Sequence, residues 1–251
     1  MIYLLRHSER IDQSSNEKEK LSWKKSKRYY QNPLDIPLSS NGYNICHSVI
    51  KNILNNYKED FGFIYSSPLT RCIQTSLEFQ KYIELVYSIK ILIRIEYGLF
   101  PNFFGDTDTL YYFHSETNNH NIKIKFVNNK LKIIKPFTYI DDYLSFDNIT
   151  KRYGKKHFDY DYLPIYNQDK INSQHNMKPQ DICSHRINTF VKLSKLLSKD
   201  KLNLIVTHGE IITLFNNWIN NEWNIFNSFN VCGGLQLKLT TNNNYKILNK
   251  I

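Results

Sequence analysis

The chain is poor in arginine. It has 7 Arg against 26 Lys in 251 residues that carry a formal net charge of +10. Binding in a nucleic-acid groove calls for clustered arginine, aromatic–basic interleaving or a known reading motif. None occurs, so no nucleic-acid partner is expected. The lysine surplus comes with about 30 Asn and many Ile and Tyr. A/T-rich codons can encode all of these, so biased coding accounts for much of it. A basic surface still draws anions over a Debye length of about 10 Å. Long apolar runs are also missing: nothing approaches the roughly 18 residues of a membrane span. Met1–His7 lacks the n-region and cleavage site of a secretory signal. The four cysteines, Cys46, Cys72, Cys183 and Cys232, lie far apart with no C-x-x-C spacing, which suggests neither a zinc site nor a disulfide framework. They read as buried or idle thiols of a cytoplasmic protein with no membrane partner. No internal repeat is visible.

What is present is enough for a packed core. Hydrophobic residues make up 41% and charged residues 22%, which excludes disorder as the whole answer. The length suits one sizeable domain or two small ones. Ile2–Leu5 reads as a buried strand. The polar, lysine-rich stretch Asp12–Asn32 reads as a long loop, or a loop with one helical turn. Ser40-Asn41 opens a helical pattern with Ile45, Val49, Ile50 and Ile53/Leu54 at spacings of three and four. Phe61–Tyr65 is the next strand, Thr70 to about Val86 a helix, and Ile91–Ile95 a third strand. Strand–helix alternation of this kind marks a mostly parallel sheet covered on both faces.

From Phe100 to about Gln180 the alternation breaks, with no strong helix and one hairpin, Ile122–Lys135, turning at Asn128-Asn129. About 80 such residues make a thin core, so they read as an insertion on the sheet. A helix after Pro179, a central strand at Leu202–Val206 and a helix from Gly209 to about Asn220 follow. Short strands near Leu235–Leu239 and Tyr245–Leu248 complete the pattern. The fold class expected is therefore α/β, with a mainly parallel central sheet flanked by helices on both faces.

Three stretches sit where strands end, the edge at which open α/β sheets bind ligands. They are Arg6-His7-Ser8-Glu9-Arg10, Ser66-Ser67-Pro68-Leu69-Thr70-Arg71-Cys72-Ile73-Gln74-Thr75, and Thr207-His208-Gly209. Together they bring three of the seven arginines and two histidines to one edge. The planar guanidinium fork fits phosphate oxygens bidentately. A neutral imidazole can attack phosphorus. Phosphoryl transfer asks mainly for positioning and charge neutralisation, which these groups supply without a metal. The helix near Thr70 would add its dipole. Taken singly, His208 could be a satisfied core histidine and Arg71 an ordinary surface ion pair; the three motifs in this order point to chemistry.

In these motifs the sequence resembles the histidine phosphatase superfamily, also called phosphoglycerate mutase-like. That family carries Arg-His-Gly-Glu after strand one, Ser-Ser-Pro-Leu-x-Arg-Ala-x-Gln-Thr later and a His-Gly near the end. Asp35-Ile36-Pro37-Leu38-Ser39-Ser40-Asn41-Gly42 is similar to its Asp-x-Pro-Leu-Thr-x-x-Gly signature. The likeness runs over residues 1 to about 99 and from about 180 onward. Within the superfamily, branch 1, Arg6–Asp12 and Arg94–Phe100 most resemble the TULA-type protein tyrosine phosphatases. The resemblance implies one histidine phosphatase-like domain over 1–251, with an insertion at about 100–180 forming a lid with a β-hairpin. Phe103, Phe104, Tyr111, Tyr112 and Phe113 would lie in that lid. It implies that His7 is the nucleophile and that Arg6, Arg10, Arg71 and His208 hold the phosphate, with no metal or organic cofactor. The partner implied is a phosphorylated substrate, small molecule or phosphoprotein.

Two positions depart from the family. Ser8 replaces the glycine after the nucleophile, adding a hydroxyl close to the site. Pro101 stands where the proton-donating glutamate is usual, and it can neither give nor take a proton. Asp106, Asp108 and Glu96 are the candidate replacements, with Glu96 equally readable as a structural partner of nearby backbone. The expected activity is phosphomonoester hydrolysis through a phosphohistidine. The rivals are a phosphoglycerate-type mutase and a catalytically weak phospho-ligand-binding pseudophosphatase.

Overall fold

The computed structural model describes residues 1–32, 35–55, 60–101, 124–127, 130–133, 144–168, 179–222 and 229–251. Strand β1 (Ile2–Arg6) is followed by two short helices, α1 (Glu17–Lys24) and α2 (Lys27–Gln31). The polar composition of this stretch predicts a loop with at most one helical turn, and the structure differs. Both helices are built on their caps rather than on an apolar face. The Asn16 side chain accepts from the Lys18 and Glu19 amides, and Ser26 accepts from Tyr29. Such caps are worth about 1 kcal/mol each, and Trp23 is the buried residue of α1. A periodicity search has little to find there.

Helix α3 (Ser40–Leu54) starts at Ser39, whose hydroxyl accepts from the Gly42 amide, and it buries Cys46, Ile50, Ile53 and Leu54. Strand β2 (Phe61–Ser66), α4 (Thr70–Tyr87) and β3 (Ile93–Ile95) follow. The hairpin is present as β4 (Ile124–Val127) and β5 (Lys130–Ile133), with Val127 opposite Lys130, the register that a turn at 128 and 129 predicts. Next comes α5 (Phe146–Tyr153), a helix in a region expected to have no strong one. It has eight residues, a Ser145 cap and buried Ile149 and Thr150; Phe146, Ile149 and Tyr153, spaced by three and four, pack on the first core cluster, a repeat only two turns long. The chain continues through α6 (Pro179–Leu196), β6 (Leu202–Thr207), α7 (Gly209–Asn220), β7 (Gly234–Leu239) and β8 (Tyr245–Lys250).

The main sheet has the order β3-β2-β6-β1-β7-β8. Strands β3, β2, β6 and β1 are mutually parallel, while β7 runs antiparallel to β1 and β8 antiparallel to β7. Alternate residues of each strand feed two cores. Tyr3 and Leu5 of β1, with Leu204 and Val206 of β6, pack with Cys46 and Ile50 of α3 and with Ile73 and Phe79 of α4. Ile2, Leu4 and Ile205 face Phe190 and Leu193 of α6 and Ile211 and Phe215 of α7. Burying each large aliphatic or aromatic side chain contributes about 1.5–3 kcal/mol. The sheet is thus covered on both faces, as its near-continuous apolar strands require. At Gly234 a Cβ would stand 1.9 Å from the Leu4 carbonyl oxygen, so only glycine lets β7 lie against β1 here.

The insertion read from about 100 to 180 is partly core. Leu144, Ile149 and Phe158 join the first cluster, and Phe158 bridges to Ile93 at the sheet edge. The aromatic residues Phe103 to Phe113 expected in the lid lie outside the described residues. Among the described residues, no helix is long and apolar enough to cross a membrane.

Candidate active site

The three motif-bearing strand ends lie side by side, with β6 in the middle. The His7 amide donates to the Thr207 carbonyl at 2.8 Å, and the Ser67 amide to the Val206 carbonyl at 3.0 Å. The residues that follow β1, β2 and β6 are therefore held together by main-chain bonds before any side chain acts. His7 and His208 are both 3% exposed. Their rings meet edge to face with centroids 5.2 Å apart.

The hydrogen bonds assign the tautomers. His7 Nδ1 lies 2.8 Å from the Ser8 carbonyl oxygen. A carbonyl only accepts, so Nδ1 carries the proton and Nε2 keeps its lone pair. His208 Nδ1 lies 3.4 Å from Arg71 Nη2. A guanidinium only donates, so that nitrogen accepts, and His208 Nε2–H donates to Ser67 Oγ at 3.0 Å. Burial first, and then Arg71, pull both imidazoles well below the ordinary histidine range. The bond to Ser8 works the other way on His7, while Arg6 and Arg10 add to the lowering of both rings. Both rings are neutral at pH 7, and His7 presents an unprotonated nitrogen beside cationic groups.

The arginines are held by different means. Arg6 Nη1 donates to the Phe229 carbonyl at 2.6 Å. Arg71 is buried and leans on His208. Arg10 forms a two-bond ion pair with Asp12, Nε to Oδ1 at 2.9 Å and Nη2 to Oδ2 at 2.8 Å. All three act electrostatically on both imidazoles. The structure therefore gathers Arg6, His7, Arg10, Arg71 and His208, five of the seven site residues expected from sequence. Among the described residues, no group of three or more His, Cys, Asp or Glu is placed to hold a metal ion.

The other two expected residues are not in this group. Asp106, like Asp108, lies outside the described residues. Glu96, at the end of β3, is fully buried and employed in holding backbone. It accepts from Tyr162 Oη (2.6 Å), the Ile165 amide (2.8 Å), the Tyr166 amide (3.2 Å) and the Gly98 amide (2.8 Å). Four donors on one carboxylate leave no edge from which to deliver a proton. Of the two readings given for Glu96, acid or structural partner of nearby backbone, these four bonds favour the second. The helix dipole expected from α4 is also partly used within the protein, since the Thr70 amide donates to Asp35 Oδ1 at 2.6 Å.

Several supporting residues escaped the sequence reading. Ser67 orients His208, and the Cys72 thiol lies 3.5 Å from His208 Nε2, so this cysteine is not idle. Thr75 Oγ1 accepts from the Ser8 amide at 3.1 Å, and the Ser8 hydroxyl donates to the Gly42 carbonyl at 2.6 Å. The added hydroxyl of Ser8 thus has a buried partner. Ser67, Cys72 and Thr75 all fall inside the second motif, which signalled their region without assigning them roles. Asp12 likewise closes the Arg6–Asp12 stretch quoted for the resemblance, again without an assigned role.

Comparison with known proteins gives a consistent result. Residues 2–100 match the model of the histidine phosphatase superfamily (branch 1), a stretch that includes Arg6, His7, Arg10 and Arg71. No curated protein matches the chain by sequence. Among solved structures, the ecdysone phosphate phosphatase from Bombix mori in complex with tungstate superposes with a TM-score of 0.59 at 14% identity, over 99% of this chain and 91% of that one. The phosphoglycerate mutase from Bacillus anthracis gives 0.53 at 16% identity, over 100% and 91%. A mycobacterial glucosyl-3-phosphoglycerate phosphatase in complex with VO3 gives 0.52 at 14% identity, over 98% and 96%. At these identities the likeness is one of fold. The family model thus covers residues 2–100 and the solved structures share the fold over the whole chain; no closeness to the TULA type is shown.

Proposed function

We propose that this protein hydrolyses phosphomonoesters through a phosphohistidine formed on His7. The observation that carries the reading is the tautomer of His7: a buried neutral imidazole whose Nδ1–H is tied to the Ser8 carbonyl, leaving Nε2 as a nucleophile among three arginines. The Nε2 lone pair forms the N–P bond while the P–O bond to the leaving group breaks and its electron pair stays on oxygen. Positive charge then develops on the ring, and the 2.8 Å bond from Nδ1–H to Ser8 stabilises it. Arg6, Arg10 and Arg71 neutralise the non-bridging oxygens. Arg71 exchanges its contact with His208 for a phosphate oxygen. Burial first, and then the neighbouring cations, hold His208 neutral; the incoming dianion offsets the cations, so that ring can take a proton and donate to phosphate. Water then attacks phosphorus, passing a proton to the carboxylate left by the first step, while the N–P bond breaks and its electrons return to Nε2.

Protonation of the leaving oxygen falls to a carboxyl group. With Pro101 in the usual place and Glu96 fully engaged, the role goes to Asp106, with Asp108 as the alternative. General acid catalysis is worth about 100- to 10,000-fold, so aryl phosphates, which leave without help, are the substrates of choice for a test. Wild type should release p-nitrophenol from p-nitrophenyl phosphate, and His7→Ala should not. A labelled donor should leave an acid-labile, alkali-stable phosphoramidate on the wild type alone. Binding of phosphate without turnover would move the assignment to a non-catalytic phospho-ligand binder.

A further inference from the structure

We propose that Cys46 and Cys232 are a redox pair, and that a hydroperoxide joins them in a disulfide beside His7 that lowers turnover there. The disulfide stands apart from the phosphatase reading; only the loss of turnover rests on it. Cys46 lies on α3 and Cys232 in the turn before β7, far apart in sequence. Both side chains are fully buried, in the same core cluster. Their thiols hydrogen-bond to each other, and the Ser8 hydroxyl stands within hydrogen-bond reach of both. The backbone fixes this meeting. The Cys232 amide donates to the His7 carbonyl at 3.3 Å. Cys46 follows Gly42 by one helical turn, and the Gly42 carbonyl accepts from the Ser8 hydroxyl at 2.6 Å. The two cysteines thus approach the nucleophile's own segment from two elements. Cys232 has a φ of 56°, a left-handed conformation that favours glycine, so a side chain is held there against the backbone's preference.

The two sulfurs have different parts. The Cys46 thiol donates to Cys232 and pulls it below the ordinary thiol range against burial, and Arg6 adds to the lowering. The same bond, and then burial, push Cys46 up. Cys232 is therefore the attacking thiolate and Cys46 the resolving thiol. The Cys232 sulfur attacks one oxygen of hydrogen peroxide, the O–O bond breaks, and the hydroxide released takes the thiol proton to become water. The Cys46 sulfur then attacks the sulfenic sulfur of Cys232. The S–O bond breaks, and its hydroxide leaves as water with the Cys46 proton. Two thiols lose two electrons, and one peroxide becomes two waters. Hydrogen peroxide is little larger than water, which suits a buried pair that bulky reagents do not reach. Bonding draws the sulfurs to about 2 Å and removes both thiol protons next to Ser8, whose carbonyl holds the His7 tautomer. Misplacing a reacting group by about 1 Å costs up to about 100-fold.

The test treats the full chain with dilute hydrogen peroxide, unfolds it in an alkylating agent and maps it by mass spectrometry. A crosslinked Cys46–Cys232 peptide is expected, lighter by two hydrogen atoms than the two reduced peptides together. Turnover of p-nitrophenyl phosphate should fall about tenfold or more in step with the crosslink, and dithiothreitol should restore it. Cys46→Ala and Cys232→Ala, active in reductant, should form no crosslink and keep their turnover in peroxide. Free thiols at both positions after peroxide overturn the proposal. So does a complete crosslink with unchanged turnover, or a loss of turnover that persists in both alanine variants. Should these variants not fold, Cys46→Ser and Cys232→Ser take their place, and the wild-type map needs no variant. In a protein that hydrolyses no phosphomonoester, calorimetric binding of inorganic phosphate before and after oxidation replaces turnover. A crosslink that weakens phosphate binding severalfold there sustains the pair while removing the phosphatase reading, and a crosslink with unchanged affinity counts against it.

Discussion

Glu96→Gln separates a structural carboxylate from a catalytic one. Oε1 of Glu96 takes the Gly98 and Tyr166 amides, and Oε2 takes the Tyr162 hydroxyl and the Ile165 amide. A glutamine can keep its oxygen on the Oε1 side, but its NH2 then faces two donors. The Tyr162 hydroxyl can rotate to accept; the Ile165 amide cannot. One buried N–H is left unpaired at about 1–3 kcal/mol, and charge assistance is lost on the remaining bonds, for a total of about 3–5 kcal/mol. Burial raises the Glu96 pKa against these four donors, so the carboxylate is itself costly to bury and the upper end of that range is not expected. For a chain of this size each kcal/mol moves Tm by about 2–4 °C, so a loss of about 3–4 kcal/mol gives a drop of about 6–16 °C. Urea unfolding followed by tryptophan fluorescence measures the same loss. The folded variant should lose similar activity on p-nitrophenyl phosphate and on an alkyl phosphate. If stability changes by less than about 1 kcal/mol while alkyl phosphate turnover alone collapses, Glu96 is the proton donor and its purely structural role is refuted.

Three further outcomes are expected. His7 and His208 are both held below the ordinary histidine range, so the unfolded chain takes up protons near pH 6.5 that the folded protein refuses. Their contribution to stability is therefore complete above that pH and declines as pH falls through 6.5 toward the folded values. Urea midpoints at pH 7.5 and 5.5 should differ more in wild type than in His7→Ala/His208→Ala, and equal differences would refute the linkage. Ser8→Ala removes the 2.6 Å bond to the Gly42 carbonyl and should cost about 1–2 kcal/mol in urea while His7 remains able to react. Asp12→Asn frees Arg10 from its carboxylate. Inhibition by inorganic phosphate should then tighten severalfold with little change in Tm, since a partly exposed pair contributes only about 0–1 kcal/mol; an unchanged inhibition constant would place Arg10 outside the pocket.

Much of the sheet was legible because its strands are buried on both faces, which writes them as apolar runs bounded by polar or turn residues. The helices α3, α4, α6 and α7 bury long stripes and so carry a clear repeat. By contrast α1, α2 and α5 are short and rest on the caps Asn16, Ser26 and Ser145, and a cap is one residue of a common type. The same contrast holds in the site. His7, Arg71 and His208 were visible because each follows a strand. Cys46 and Cys232 lie far apart in the sequence, and their meeting beside Ser8 depends on the placement of α3 and of the turn before β7. Glu96 could be read either way from its type, since a carboxylate at a strand end suits acid–base work or backbone anchoring, and its four donors come into view only in the fold.

The order of the sheet has a consequence for how the molecule comes into being. Strand β1 has no partner among β2 and β3; its neighbours are β6 and β7, encoded some two hundred residues later. On the ribosome, the segment bearing His7 emerges well before its partners and must wait with its backbone unpaired while some two hundred further residues are translated. Such long-range closure slows folding and prolongs the exposure of sticky intermediates. A truncated nascent chain ending before β6 should therefore be a client for chaperones rather than a smaller working protein.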